Sequence, residues 1–337
     1  MAYKGYQYNS YRGRSPLWKK IAAALLILVI LAAGLFIFLQ DRLVYDDSGN
    51  AKLPVPGAAP SAPAVVDPGE LSITVEEAPA EEETLLLREV SARPLTAAAA
   101  LPEEGVVLTV KDTMGRVYWP SAAAGELGLG LVRTGEDTAA ALAELTESGR
   151  YTVARLTCLQ DPLVARSRVE DMGLKNTGGY IFYDGENMSW LDPAKPAVRQ
   201  YLCALAAELE QLGFDEILLA DLTYPTVGKL DKIDYGEALK SAALAELVQA
   251  IRQAVSPEVK ISLELPAETI LAGSDPAGGP VLTDLAPLTD RIWAATTAAQ
   301  APELAETVRA ASETTAFMPE VADAGDLAGS YLLLSGE

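Results

Sequence analysis

The sequence contains no histidine, and this absence excludes a large part of enzyme chemistry. Nucleophiles that pair serine or cysteine with histidine are excluded, and so are most zinc sites. Only two cysteines occur, Cys158 and Cys203, too few for a disulfide framework, so we interpret them as small buried hydrophobes. No glycine-rich phosphate-binding motif is present. Acid–base chemistry therefore falls to carboxylates, and we expect neither a metal nor a cofactor.

Basic residues are also scarce. The 337 residues include 26 lysines and arginines against 47 acidic residues, for a net charge of −21. Residues 1–40 contain five basic residues and no acidic residue, so the net charge of the rest of the chain is more negative still. Such a surface repels phosphate backbones, and we expect no nucleic-acid partner. Half of the residues are hydrophobic, enough for a large core.

One long apolar run, IAAALLILVILAAGLFIFL, occupies residues 21–39. Its length is close to the ~20 residues that cross a membrane as a helix. The basic residues before it predict a cytoplasmic tail over 1–20 and a C-terminal domain outside the cell, in a single-pass protein of the plasma membrane. A cleaved signal peptide is the alternative, but the run is longer than the usual ~7–15 residues and no small-residue cleavage site follows.

Residues 40–84 are rich in Pro, Ala and acidic residues and are interpreted as a disordered linker.

From residue 85 to 337, short β-type segments alternate with amphipathic helical ones. Strand–helix alternation over roughly 250 residues is typical of a (β/α)₈ TIM barrel, an α/β fold. Helices are predicted over 138–149, 196–213 and 235–255. Eight strands are predicted, over 85–90, 105–112, 151–158, 216–222, 260–266, 291–297, 315–321 and 331–336.

Carboxylates recur near the carboxyl ends of these strands, the rim where barrels carry reactive groups. Two carboxyl groups across a pocket, ~5–9.5 Å apart, are what glycoside hydrolysis requires. Aromatic residues predicted at the same rim could stack on sugar rings, although each could equally close the top of the barrel. The acidic residues are Asp112, Asp161, Asp221, Glu264 and Glu320. The aromatic residues are Tyr118, Trp119, Tyr180, Tyr183, Trp190 and Tyr224.

Four segments in this order resemble one known family: VKDTMGRVYWPS (110–121), ARLTCLQDPLVA (154–165), WLDP (190–193) and LGFDEILLADLTYP (212–225). They are similar to the bacterial putative glycosyl hydrolase domain, a barrel family related to the α-amylase-type barrels. The resemblance covers about 85–337 and implies action on a polysaccharide such as a cell-wall glycan. By analogy with amylase-type barrels, the strand-five acid Glu264 would be the proton donor, and an acid after strand four would be the nucleophile.

The residues predicted to form the site follow from the rim positions and from this resemblance. Catalytic roles are predicted for Glu264, Asp221 and Asp112. Substrate binding is predicted for Arg155, Asp161, Trp119, Trp190, Asp192, Tyr224 and Glu320.

At strand four the chain departs from the family pattern FDYxRFP. Aligned on Pro225, Ala220 stands at the family's Asp and Thr223 at its Arg, so Asp221 comes one place late. Because strand side chains alternate between faces, the shift would turn Asp221 away from the barrel axis, unless the strand ends or bulges there. We therefore expect Asp221→Asn to impair hydrolysis less than Glu264→Gln. The family's aromatic loop after strand six is also replaced, by TTAAQAPEL (296–304).

Three functions remain open from the sequence. The first is a membrane-anchored glycoside hydrolase of the cell surface. The second is a catalytically inactive barrel that binds envelope glycan or a partner protein. The third, a structural surface protein, predicts no cleft, and the long segment 166–192 argues against it because long loops after barrel strands usually build sites.

Overall fold

The computed structural model describes residues 84–97 and 101–334, together with the antiparallel pairing of Val44–Tyr45 with Ala51–Lys52. The chain divides into two compact units, Met1–Pro79 and Ala80–Glu337. The predicted tail and membrane helix lie outside the described residues, as does the predicted linker apart from that short pair and Thr84. Within the described part of the chain, no helix has the length and apolar character needed to span a membrane.

The second unit contains a closed barrel of eight parallel strands, which confirms the predicted barrel. Each strand pairs with the next, and the last pairs with the first through Tyr331 opposite Leu86. Most are continuous apolar runs, as expected for strands covered on both faces. The strands are β1 (Leu86–Val90), β2 (Gly105–Lys111), β3 (Thr152–Thr157), β4 (Glu216–Ala220), β5 (Lys260–Glu264), β6 (Arg291–Ala295), β7 (Ala316–Val321) and β8 (Tyr331–Leu333).

Helices connect most of the strands. They are α1 (Ala122–Glu126), α2 (Thr138–Thr146), α3 (Pro162–Ser167), α4 (Pro196–Gln211), α5 (Lys240–Ala254), α6 (Ala267–Ala272), α7 (Leu282–Leu285) and α8 (Ala301–Ala311), with 3₁₀ turns at Leu230–Lys232 and Ala286–Leu288. The predicted helices 138–149 and 196–213 stop just before glycines with φ of 76° and 88°, Gly149 and Gly213. Within the described residues, no helix follows β1 or β7, so the regular alternation is interrupted at these two connections.

Side chains fill the barrel in layers, because alternate residues of each strand point inward. The middle layer is apolar and consists of Leu87, Val107, Val153, Leu218, Trp293, Met318 and Leu332. Two residues later along four of these strands the side chains are polar, namely Glu89, Thr109, Arg155 and Glu320, and Glu264 ends β5 at the same height. A polar layer thus lies at the carboxyl-terminal end of the barrel, above an apolar plug.

A second polar group lies on the other side of this plug, at the amino-terminal end. Glu216 is fully buried and accepts hydrogen bonds from the Tyr151 hydroxyl at 2.8 Å and the Trp293 indole at 3.0 Å, as well as from Ser262 and Arg291. We call these five residues the floor cluster. The sequence patterns did not predict this cluster.

Candidate active site

A cavity of about 260 Å³ opens at the carboxyl-terminal end of the barrel. We call it the mouth cavity. It is slightly smaller than the ~300–1,000 Å³ of pockets that enclose drug-sized ligands, so it suits one sugar ring rather than several. A larger cavity of about 610 Å³ lies at the opposite end, near Thr84 and Asp215, where barrels do not place catalytic groups. The mouth cavity is lined by Glu89, Arg93, Thr109, Asp112, Thr113, Arg155, Thr157, Ala220, Asp221 and Glu264.

Arg155, on β3, organises the centre of this cavity. Its Nε donates a hydrogen bond to Glu264 Oε2 at 3.0 Å, and its Nη2 makes an ion pair with Glu264 Oε1. The same Nη2 lies 3.5 Å from Glu320 Oε1. Two-point contacts between a guanidinium and a carboxylate fix the geometry of both groups. The predicted site residues Arg155, Glu264 and Glu320 are therefore brought together, with Glu264 held in one orientation.

Glu320, on β7, lies beneath the cavity wall with only 2% of its surface exposed. Its Oε1 accepts no hydrogen bond from the described residues. Burial raises the pKa of Glu320 to about 7 against the opposing charge of Arg155, and repulsion from Glu264 and Glu89 adds to the rise. Near pH 7 such a carboxyl group is therefore present in both its protonated and its ionised form.

Asp221 lines the same cavity as Glu264, which corrects the expectation that it faces away from the axis. The alternation itself holds, because the inward residue at the end of β4 is Ala220. The strand then ends, and Asp221 adopts a left-handed conformation with φ of 51°. Asp tolerates this conformation better than most residues, and it redirects the side chain. The carboxylate Oδ2 accepts a hydrogen bond from the Thr157 hydroxyl at 3.3 Å.

The pKa of Asp221 is raised, chiefly because the side chain is buried and secondly because Glu264 repels its negative charge. The Thr157 hydrogen bond and the charges of Arg155 and Lys111 act in the opposite direction. Asp221 and Glu264 thus form a pair of carboxyl groups in one cavity, and Asp221 loses its proton less readily than an exposed aspartate.

Glu89, on β1, is a cavity residue that was not predicted from the sequence. It is half-buried, lines the mouth cavity, and makes no hydrogen bond or ion pair with any residue that the structure describes. The signal was present in the alternation, because Glu89 stands two residues after the inward Leu87. Glu89 is the penultimate residue of β1, as Glu320 is of β7, so the same criterion applied to the first strand would have found it.

Asp112 also lines the cavity, but its oxygens are largely occupied. Oδ1 accepts backbone N–H groups from Met114 at 3.0 Å and Arg116 at 2.9 Å, and Oδ2 accepts the Tyr118 hydroxyl at 2.7 Å. These contacts fix the loop after β2. They favour a positioning function for Asp112 over the predicted catalytic one.

Asp161 does not reach the cavity. It has no exposed surface, and its Oδ2 lies 2.9 Å from Lys111 Nζ, which also has none. Its Oδ1 accepts the backbone N–H of Val164 at 3.0 Å and thereby caps α3. The structure therefore places Asp161, predicted to bind substrate, in a buried ion pair that joins β2 to α3.

Three aromatic residues predicted to bind substrate are likewise packed inside the domain. The Trp119 indole donates to Glu208 at 3.0 Å, and the Trp190 indole donates to Asp184 at 2.8 Å. Tyr224 is 1% exposed and stacks edge-on against Tyr235, with the ring centroids 5.3 Å apart. None of the three lines the mouth cavity. Their contacts are those of packing residues.

Asp192 and the long segment 166–192 also lie away from the mouth cavity. Asp192 accepts the backbone N–H of Ala194 at 3.1 Å, and burial raises its pKa. Lys195 holds the start of the segment in place, because its Nζ donates hydrogen bonds to the carbonyls of Val169 and Gly173. It lines a separate cavity of about 470 Å³ together with residues 228, 229 and 232. The predicted cleft exists, but this segment does not build it.

A family model described as "putative glycosyl hydrolase domain" matches residues 95–294, and no curated protein matches the chain. Among solved structures, a hypothetical protein from Ruminiclostridium thermocellum is 24% identical with a TM-score of 0.42, over 47% of this chain and 82% of that one. The glycoside hydrolase domain of PelA from Pseudomonas aeruginosa is 14% identical with a TM-score of 0.40, over 71% and 83%. Aspergillus fumigatus Ega3, solved with galactosamine, is 12% identical with a TM-score of 0.39, over 71% and 76%. Likenesses at these scores carry no inference about chemistry.

Proposed function

The chain belongs to the putative glycosyl hydrolase domain family, and from this premise we propose that it is a membrane-anchored glycoside hydrolase of the cell surface that cleaves a polysaccharide with two carboxyl groups. The observation that carries the proposal is the presence of Asp221 and Glu264 in one cavity at the catalytic end of the barrel. The mouth cavity, with a volume of only about 260 Å³, suits a single sugar ring at the point of cleavage.

Different environments give the two carboxyl groups different tasks. Glu264 is held by Arg155 through both of its oxygens, so it is the oriented group that attacks the sugar or activates water. Asp221 is buried with a raised pKa, so it carries the proton for the leaving oxygen. This assignment exchanges the roles that the family resemblance implied. Glu320 acts through Arg155 as a positioning residue.

Hydrolysis is tested by incubating the protein with panels of peptidoglycan and α-glucans, scoring released reducing ends and retained polymer separately. We expect cleavage of at least one glycan by the wild type, and loss of cleavage in Glu264→Gln and Asp221→Asn. Glu186→Gln is the matched control, because it removes one exposed carboxylate from the 166–192 segment without touching the cavity. Cleavage that survives in both cavity variants would refute two-carboxylate chemistry at this site.

The membrane anchor is supported by the uncharged apolar run 21–39 and its basic flank. We expect protease added to intact cells to digest the C-terminal domain and to leave a short N-terminal fragment in the membrane. A mature protein whose N-terminal residue lies beyond residue 39 would show cleavage instead of anchoring.

A second candidate function, glycan binding without cleavage, is favoured by one observation. The inward position at the end of β4 is Ala220, so no carboxylate stands at the regular place for a strand-four nucleophile. Retention of a glycan without release of reducing ends, in the wild type as in the Glu264→Gln variant, would establish this alternative.

A further inference from the structure

A buried lysine neighbours the mouth cavity. Lys111, the last residue of β2, is the only lysine or arginine among the described residues with no exposed surface. Its Nζ lies 2.9 Å from Oδ2 of the equally buried Asp161. Taking two charges out of water costs so much that a buried ion pair is often no more stabilising than apolar residues of similar size. Stability alone therefore does not explain why this residue is a lysine.

An irregularity in β2 sets the direction of this side chain. The pairing of β2 with β3 shifts register between Thr109 and Lys111, so that Lys111 stands opposite Leu156. In a regular strand, Lys111 would point into the barrel as Thr109 does. Bulges of this kind redirect a side chain and are frequent next to active sites. Lys111 reaches Asp161 at the start of α3 and does not line the cavity.

Two hydrogen bonds connect Lys111 to Asp221. The Nζ of Lys111 donates to the backbone carbonyl of Thr157 at 2.9 Å. Thr157 lines the mouth cavity, and its hydroxyl donates to Asp221 Oδ2 at 3.3 Å. Asp161, at the other end of the ion pair, accepts the backbone N–H of Val164 instead. The lysine is therefore the member of the pair that is coupled to Asp221.

We propose that Lys111 is a positioning residue for the proton donor Asp221. It holds Thr157 in contact with Asp221, and its positive charge stabilises the carboxylate that forms when the proton passes from Asp221 to the leaving oxygen. The inference rests on the proposed function, since it assigns a further residue to the same reaction. A charge that is already fixed in a site shielded from water stabilises developing charge without any rearrangement during the reaction.

The surroundings of Asp221 explain why a nearby cation matters. Burial and repulsion by Glu264 raise the pKa of Asp221, and a donor with too high a pKa transfers its proton slowly. The Thr157 hydrogen bond and the charges of Arg155 and Lys111 lower this pKa. Arg155 is itself bound to Glu264, the group that repels Asp221. The other charged residues that line the cavity are Glu89, Arg93 and Asp112, and Cys158 and Tyr201 lie near the ion pair of Lys111.

The test replaces the ion pair by neutral side chains of similar size in the full-length protein. Lys111→Met keeps an unbranched side chain, and Asp161→Asn keeps a residue that caps helices well. Both changes are made together, because either alone would leave a buried charge without its partner. Lys111→Gln with Asp161→Asn is a second neutral pair. The matched control is Arg199→Met with Glu246→Gln, which removes a 3.1 Å ion pair between α4 and α5, away from the cavity.

In glycan hydrolysis, both neutral pairs should move the alkaline limb of kcat/KM to higher pH by about one unit, as expected when an opposite charge is lost nearby. The kcat should fall roughly three- to tenfold, because a weaker acid transfers its proton more slowly. The KM should stay unchanged, since Lys111 does not line the cavity. The control should keep the wild-type profile. A limb that stays in place in the neutral pairs would overturn the inference, and failure of both pairs to fold would do the same by assigning the ion pair to stability.

A second measurement needs no catalysis. The difference in unfolding free energy between a protein and its Asp221→Asn variant, followed by urea unfolding over a range of pH, reports the pKa of Asp221. Because that pKa is raised in the folded state, the protein with Asp221 should lose stability relative to its variant as the pH rises through the folded pKa. In the neutral pairs this loss should extend to higher pH. The same curve with and without Lys111 would overturn the inference.

Failure of this inference can be separated from failure of the proposed function. A shifted unfolding curve without cleavage of any glycan would refute the hydrolase and leave the coupling of Lys111 to Asp221 standing. Cleavage with the same alkaline limb in the wild type and in the neutral pairs would uphold the hydrolase and overturn the inference.

Discussion

The two ends of the barrel each bury a glutamate against an arginine, yet they differ in how well that glutamate is satisfied. In the floor cluster, Glu216 accepts four donors and has no exposed surface. At the mouth, Glu320 Oε1 has only a long ion pair with Arg155, at 3.5 Å, and Glu89 makes no hydrogen bond or ion pair among the described residues. A fully satisfied polar network makes a fold rigid, whereas an incompletely satisfied one can receive a ligand.

Both ends arise from the same rule of strand alternation. The floor cluster takes its members from the first residues of β4 and β6 and from neighbouring inward positions, and the mouth takes its members from the last inward positions. An apolar layer lies between them, and Trp293 belongs both to this layer through its ring and to the floor cluster through its indole N–H. The residues that stabilise the fold and the residues of the candidate site therefore lie at opposite ends of the same strands, as is general in barrels of this type.

The largest effect is expected from breaking the floor cluster. Glu216→Ala removes an acceptor shared by four buried donors, and removal of one partner of a buried ion pair costs about 3–5 kcal/mol. Urea unfolding should show a loss of this size, while Glu186→Ala, at an exposed position, should change little. A loss below about 1 kcal/mol would mean that the floor cluster does not stabilise the fold.

At the mouth, the opposite result is expected. Glu264→Gln and Asp221→Asn should each reduce hydrolysis by about 10²–10⁴-fold, the usual contribution of acid–base groups. Asp221→Asn should keep the stability of the wild type, because it removes a charge that Glu264 repels. Glu264→Gln should lose some stability, because it also weakens the ion pair with Arg155. The two losses are expected to be similar, in contrast to the expectation from sequence, since Asp221 lines the cavity. Near-wild-type rates in Asp221→Asn would restore the original view of strand four.

A smaller effect is expected from Glu320, through the pH dependence of stability. Burial raises its pKa in the folded protein from the ordinary 4.5 to about 7, so the folded state binds more protons than the unfolded state between these values. Stability should therefore fall as the pH rises through this window, by roughly 1–3 kcal/mol in all. Glu320→Gln cannot titrate and should flatten this part of the curve.

Melting temperatures of wild type and Glu320→Gln at pH 4.5, 6 and 8 would measure this difference. The variant should gain most relative to the wild type at pH 8. An equal pH dependence in both proteins would show that Glu320 does not hold the extra proton.

The barrel was predictable because strand alternation and helix periodicity are local signals. All eight strands occur within two or three residues of their predicted bounds. The orientation of Asp221 was not predictable, because a single left-handed φ overrides the alternation on which the prediction rested. Trp119 was misplaced for another reason: its partner, Glu208, lies 89 residues later in the chain. Such pairing depends on how helices pack, which neither composition nor spacing reveals.

The smallest and sharpest contrast comes from deleting one hydroxyl at each end. Tyr151→Phe removes a 2.8 Å hydrogen bond to Glu216 in the floor cluster and should cost roughly 1 kcal/mol of stability. Thr157→Val removes the 3.3 Å hydrogen bond to Asp221 at the mouth. That bond lowers the pKa of Asp221, so its loss should raise the pKa further. Because a proton donor works in its protonated form, the alkaline limb of kcat/KM should move to higher pH in Thr157→Val and stay in place in Tyr151→Phe. An alkaline limb that does not move in Thr157→Val would assign the leaving-group proton to a residue other than Asp221.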